Sequence, residues 1–212
     1  MNAGAALRLA CGDLYRNSWR LVPVNAALGA VLFFSAVAAV AVHALLVLAV
    51  LAGPLAAALA HSSVTLVRTG NLALADAWEG LRLHWRRGLA LGAAGLALGV
   101  LAAVAVHFYA RSSVGWPFVF LTIYLFVLLG IYAALLTTVA VADPGLPLRV
   151  AARHTAVLAA QRPGATLLIG LALLLVNLAG VAAAVMPFLT ITIAYSFVAV
   201  AHFVLPREAR EV

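Results

Sequence analysis

His61, His107 and His202 are the side chains of this chain best suited to carry a proton through apolar surroundings. Ion-coupled transporters usually hold their proton or cation on an intramembrane carboxylate. None of the six acidic residues falls inside a long apolar stretch, Asp143 belonging to a turn. Proton carriage would therefore rest on the histidines alone. His107 and His202 stand near the ends of apolar runs, where an interfacial position explains them. His61 is deeper in its run and is accompanied by Ser62, Ser63 and Thr65. Asn25, His61, Ser62, Thr65 and Asn177 form a candidate intramembrane polar cluster. It is either a functional pocket or a set of interhelical hydrogen bonds, each contributing ~0.6–2 kcal/mol. Thr137, Thr138, Thr190 and Thr192 are candidate partners for the two asparagines. Tyr124, Tyr132 and Tyr195 suit a cavity wall or a bundle core.

The usual catalytic patterns are absent from the sequence. It contains no HExxH, GxSxG, SxxK or phosphate loop, and no lysine at all. No Cys–His grouping suggests a metal site, so neither an enzyme nor a cofactor is expected. Cys11 is the single cysteine, which rules out an intrachain disulfide. The string LACG around it lacks the apolar run that a lipoprotein signal needs, and no cleavable signal peptide is expected.

These residues must be positioned by elements whose solvent is lipid. The chain is 67% hydrophobic and only 9% charged, with a mean hydropathy of +1.16. A soluble domain carries about 25% charged residues, so a water-facing surface cannot be built from this composition. The formal charge of +7 comes entirely from arginine. Those arginines lie in clusters between apolar runs, which fits anionic lipid headgroups rather than nucleic acid.

Residues 21–67 carry no formal charge, and at about 20 residues per crossing they require two helices. The sequence predicts an all-α, polytopic bundle with spans at about 21–43, 46–68, 88–109, 116–141, 164–186 and 188–205. An alternative for the first hairpin is a longer first helix and a shorter second one with Pro54 in its first turn. Amphipathic segments are predicted at 5–20, 74–87 and 147–161. Six crossings with both termini inside put twelve arginines on the inner side and only Arg111 outside. A multi-pass plasma-membrane protein, N-in and C-in, is the expectation.

The stretch from Arg68 to Gly99 is the most patterned part of the chain. Gly88, Gly92, Gly95 and Gly99 share one helical face and are expected to pack against another helix. Before them, Leu74, Trp78, Leu81 and Trp85 form an apolar stripe, with Asp76, Glu79, Arg82 and Arg86 directed elsewhere. Trp78, Arg82, Trp85 and Arg86, with Arg149 and Arg153 of the later basic segment, are candidates for a lipid-headgroup or partner surface. A weak repeat places Trp19-Arg20, Trp85-Arg86-Arg87 and Gln161-Arg162 before the odd-numbered spans. Positive-inside placement alone would produce the same pattern.

The motifs YRNSWRLVPVN, Gly53-Pro54-Leu55-Ala56, VRTGN and DAWEGLRLHWRRGLALG, taken in order, resemble the YesL-type family of bacterial membrane proteins. Asn17, Gly53, Pro54, Val67, Arg68, Gly70, Trp78 and Trp85 carry the match, although the first hairpin here is longer. The resemblance implies an accessory or regulatory role beside carbohydrate ABC transporters, with their permease subunits as partners. It implies no catalytic residue. The alternative expectation is a small solute permease or channel, acting alone or as an oligomer.

Overall fold

A computed structural model describes residues 2–183 and 185–205. Seven α-helices account for most of them: α1 (Ala3–Ala41), α2 (Ala52–Thr69), α3 (Leu74–Tyr109), α4 (Trp116–Ala142), α5 (Leu148–Gln161), α6 (Pro163–Ala182) and α7 (Ile193–Val204). A 3-10 stretch at His43–Leu51 leads into α2, and a π-helical turn at Phe188–Thr192 leads into α7. No strand occurs among the described residues. Five helices are long and apolar enough to cross a membrane, and Phe188–Val204 is a shorter apolar helix. The chain is a helical bundle and a multi-pass integral membrane protein.

Several predicted boundaries need correction. Residues 5–20 and 21–43 are not separate elements, because α1 runs unbroken through Pro23. It is nevertheless bent. Asn25 Oδ1 accepts from Ala194 N at 2.5 Å while Tyr195 Oη donates to the Leu7 carbonyl at 3.1 Å. Leu7 and Asn25 would be about 27 Å apart along a straight helix, too far for neighbouring residues of α7 to reach both. Pro23 lies in the bent stretch and lacks the amide hydrogen that would continue the ladder. The arm before the bend is not a surface helix resting on lipid alone. Ala3, Ala6 and Ala10 are fully buried at helical spacing, in one core cluster with residues of α2 and α7.

Segments 74–87 and 88–109 are likewise one helix, the 36-residue α3. Asp76 closes its start by accepting from Ala73 N at 2.7 Å, which also places a negative charge at the positive helix end. The α-helical part of the second crossing begins at Ala52 with Pro54 in its first turn. However, α1 ends at Ala41 and the 3-10 stretch extends the second apolar span back to Leu46, as the expectation of 46–68 had it and not the longer-first-helix alternative. Gly70 ends it with φ +71°, a conformation that glycine adopts without strain. Its amide donates to the Leu66 carbonyl at 2.9 Å.

The core lies toward one end. In α3 the buried residues are Gly80, His84 and Gly88, and in α4 they fall mainly from Leu135 to Val141. The far ends of both helices expose Leu101, Val104, Phe108, Phe118 and Phe120. Apolar side chains are stable in that position when lipid is the solvent.

Candidate functional site

The α2–α3 hairpin is the most closely fitted part of the molecule. A methyl group on Gly88 would stand 2.5 Å from Pro54 Cα, and one on Gly53 would stand 2.8 Å from Gly92 Cα. These backbones touch because Gly53, Gly88 and Gly92 present no β-carbon at the contact. Further along, a methyl on Gly80 would lie 2.6 Å from His61 Cβ. Gly80 thus makes room for His61, whose ring lies 5.4 Å from that of His84 at an angle of 45°. The packing face is therefore Gly80, His84, Gly88 and Gly92. Gly95 and Gly99 must be removed from the predicted set, since a methyl group on either would meet nothing within 4 Å.

The five-residue polar cluster does not assemble. Asn25 donates to the carbonyls of Phe188 (3.0 Å) and Leu189 (2.7 Å) and accepts from Ala194 N, pinning the π-helical turn. Asn177 donates to Leu173 O and Ser196 Oγ and accepts from Thr192 Oγ1 at 3.0 Å. Thr192 is thus the one predicted threonine that meets an asparagine. Thr137, Thr138 and Thr190 bond back to carbonyls one turn earlier in their own chain segment. Ser62 and Ser63 do the same, to Ala58 and Leu59. His61 faces the charged stretch of α3 and not the interior polar groups. Thr65 O accepts from Thr69 Oγ1 at 2.9 Å, another bond within α2. The physical reason is economy of distance: a helical hydroxyl finds a carbonyl four residues back more readily than one on another helix.

The tryptophan stripe is turned outward. Trp78 is 63% exposed and Trp85 47%, while Arg82 and Arg86 are exposed beside them. Arg86 lies over the Trp85 ring at 5.2 Å, and Arg20 lies over the Trp19 ring at 4.8 Å. The two Trp-Arg junctions of the sequence repeat therefore share a cation–π contact. Arg149 and Arg153 are exposed on α5.

Three other arginines are engaged with backbone. Arg87 donates to the carbonyls of Ala140 (2.8 Å), Pro144 (2.6 Å) and Leu146 (2.8 Å). Arg68 donates to Ala142 O at 3.0 Å. Both act on the end of α4, where carbonyls lack helical partners and the dipole is negative. Arg20 donates to Asn71 Oδ1 at 2.6 Å and to the Leu72 carbonyl, tying α1 to the α2–α3 loop. The sequence offered no signal for these contacts beyond clustered charge. His202 bonds Asp13 across the same end of the bundle. Arg111 is at the other end of α3, bonded to His107 Nε2 at 2.6 Å. Arg207 and Arg210 lie outside the described residues.

A groove of about 270 Å³ between α4, α6 and α7 is lined by apolar side chains, with Asn177 and Ser196 its polar members. Among the described residues no group of three or more His, Cys, Asp or Glu is placed to hold a metal. No family model, curated protein or solved structure matches the chain. Function must therefore be argued from geometry.

Proposed function

We propose that this protein acts by contact, as an accessory or regulatory partner of a transport system, and not as a solute pathway of its own. The observation that carries this reading is the outward face of Trp78, Arg82, Trp85 and Arg86. It is mounted on a helix whose opposite face is locked to α2 through Gly80, Gly88 and Gly92. Tryptophan and arginine are the side chains most enriched at interface hot spots. Asn25 supports the same reading, because it is fully buried and its amide is engaged with backbone groups.

In this proposal the arginine-bearing end faces the cytoplasm of a plasma-membrane protein with six crossings and both termini inside. The contacts of Arg20, Arg68, Arg87 and Asp13 gather the α2–α3 loop, the α4–α5 turn, the α1 arm and the end of α7 at one end. Cysteines at 145 and 112, in a Cys11→Ser background, test the orientation by impermeant labelling of intact cells. Labelling at 112 and not at 145 is expected, and the reverse overturns it.

The YesL-type resemblance makes the permease subunits of a carbohydrate ABC transporter the proposed partner. Tagged protein in mild detergent should bring those subunits down. Trp78→Ala with Trp85→Ala should abolish the capture and leave the bundle folded. Solute flux by the purified protein alone in liposomes would replace this reading with a permease.

A further inference from the structure

We propose that His61 and His84 form a two-nitrogen site for a soft monovalent cation, copper(I), at the α2–α3 contact. His61 Nδ1 and His84 Nε2 are both buried and have no hydrogen-bond partner. Buried imidazole nitrogens are normally paired, and an unpaired one calls for a specific explanation such as an ion or water. Here two occur on rings 5.4 Å apart, contributed by two helices, and the nitrogens do not bond each other. Gly80 is what allows the rings to meet, since any side chain there would strike His61.

The donor set selects the ion. Among the described residues no third His, Cys, Asp or Glu joins the pair. Zinc, nickel and other divalent ions need four or more donors and gain little from two. Copper(I) accepts two imidazoles in a near-linear arrangement, and its single charge is less costly to bury among neutral ligands. Bonds of about 2.0 Å from each ring would set linear ligands ~6 Å apart between centroids. With the rings at 5.4 Å and 45°, binding would part them slightly and turn the two nitrogens toward the shared ion. His84 is buried and His61 half-buried, opposite the charged stretch of α3, so an ion would enter from the His61 side as the two rings part to uncover their buried nitrogens. Binding requires no change of oxidation state.

The test uses the full chain in detergent with Cys11→Ser, which removes the exposed thiol as a competing ligand. Copper(I) is supplied under ascorbate and competed with a chromogenic copper(I) chelator. One ion per chain should be retained, and x-ray absorption should show two nitrogen ligands. His61→Gln and His84→Gln should each weaken retention by more than tenfold, since loss of outer-sphere support alone costs metal sites about 10–100-fold. His154→Gln, an exposed histidine on α5, should change nothing. Failure of the Cys11→Ser protein to retain copper(I), equal retention by the double glutamine variant, or a four-coordinate spectrum would overturn the proposal. The absorption measurement needs no histidine variant, so misfolding of the glutamine proteins does not shield the idea.

Discussion

His202 Nε2 lies 2.8 Å from Asp13 Oδ2, joining the last helix to the first across 189 residues of sequence. The His202 side chain is fully buried and the Asp13 side chain 32% exposed, so the contact is shielded from solvent on one side only. A hydrogen bond to a charged group contributes about 1.5–3 kcal/mol. Asp13→Ala should lower stability by roughly 1–3 kcal/mol, and Asp13→Asn by less because an amide can still bond the ring. Thermal unfolding in detergent checks the order; equal loss for both variants would contradict it.

The glycine series separates two classes of position. Gly88→Ala places a methyl 2.5 Å from Pro54 Cα, and overpacking of that kind costs ~1–3 kcal/mol or more where backbone must move. Gly95→Ala meets open space and should stabilise by about 0.5–1 kcal/mol through helix propensity. Opposite shifts in melting temperature are the expected result. A drop for both would mean that a second chain or a tightly held lipid covers Gly95.

Much of the architecture was legible from period and charge. The apolar runs located the helices, and the face shared by Gly88 and Gly92 followed from 3.6-residue spacing. The same spacing could not reveal where the neighbour ends: the 3-10 stretch before α2 still reaches Gly92 through the Val50 carbonyl, while Gly95 and Gly99 run on past it. Gly80 and His84 belong to the same four-residue series and were within reach of a reading that began it earlier. The Trp78 stripe reads as a lipid-headgroup or partner surface, and it does stay outward. What was not legible is that small residues on the opposite face, Gly80 among them, take the packing against α2. His202 with Asp13 had no local pattern at all, since pairing over such a separation is a product of topology.

Arg87 should matter more than Arg68. It serves three carbonyls at the end of α4 and in the following turn, against one for Arg68. Arg87→Ala should speed hydrogen exchange at Leu146 and at the start of α5, and should sensitise residues 143–147 to proteolysis. Arg68→Ala should do so weakly. Part of each contact is exposed, so a stability loss of about 1–2 kcal/mol for Arg87→Ala is expected.

Asn25 holds an irregular turn in place. Its amide serves two carbonyls and one backbone N–H of the Phe188–Ala194 stretch. Asn25→Leu keeps the volume but leaves those groups without their partner, at a cost of about 2–4 kcal/mol. Exchange at the Ala194 amide should accelerate. If it does not, the π-helical turn is held by its own packing, with Leu189 against Gly29 the nearest source.

The clamps made by Arg20, Arg68 and Arg87 separate two jobs in time. While the chain is being inserted, before those bonds exist, every arginine near a hydrophobic segment contributes to which way the segment is threaded. Once folding is complete, these three guanidinium groups are engaged with backbone and side-chain oxygens, and Arg8, Arg16, Arg82, Arg86, Arg149, Arg153 and Arg162 remain as the outward charge among the described residues. Replacing Arg87 by an uncharged residue can thus disturb biogenesis and the finished protein through unrelated causes. Lysine at the same position would preserve the threading signal and lose the three-way clasp, so that one substitution tells the nascent role from the mature one.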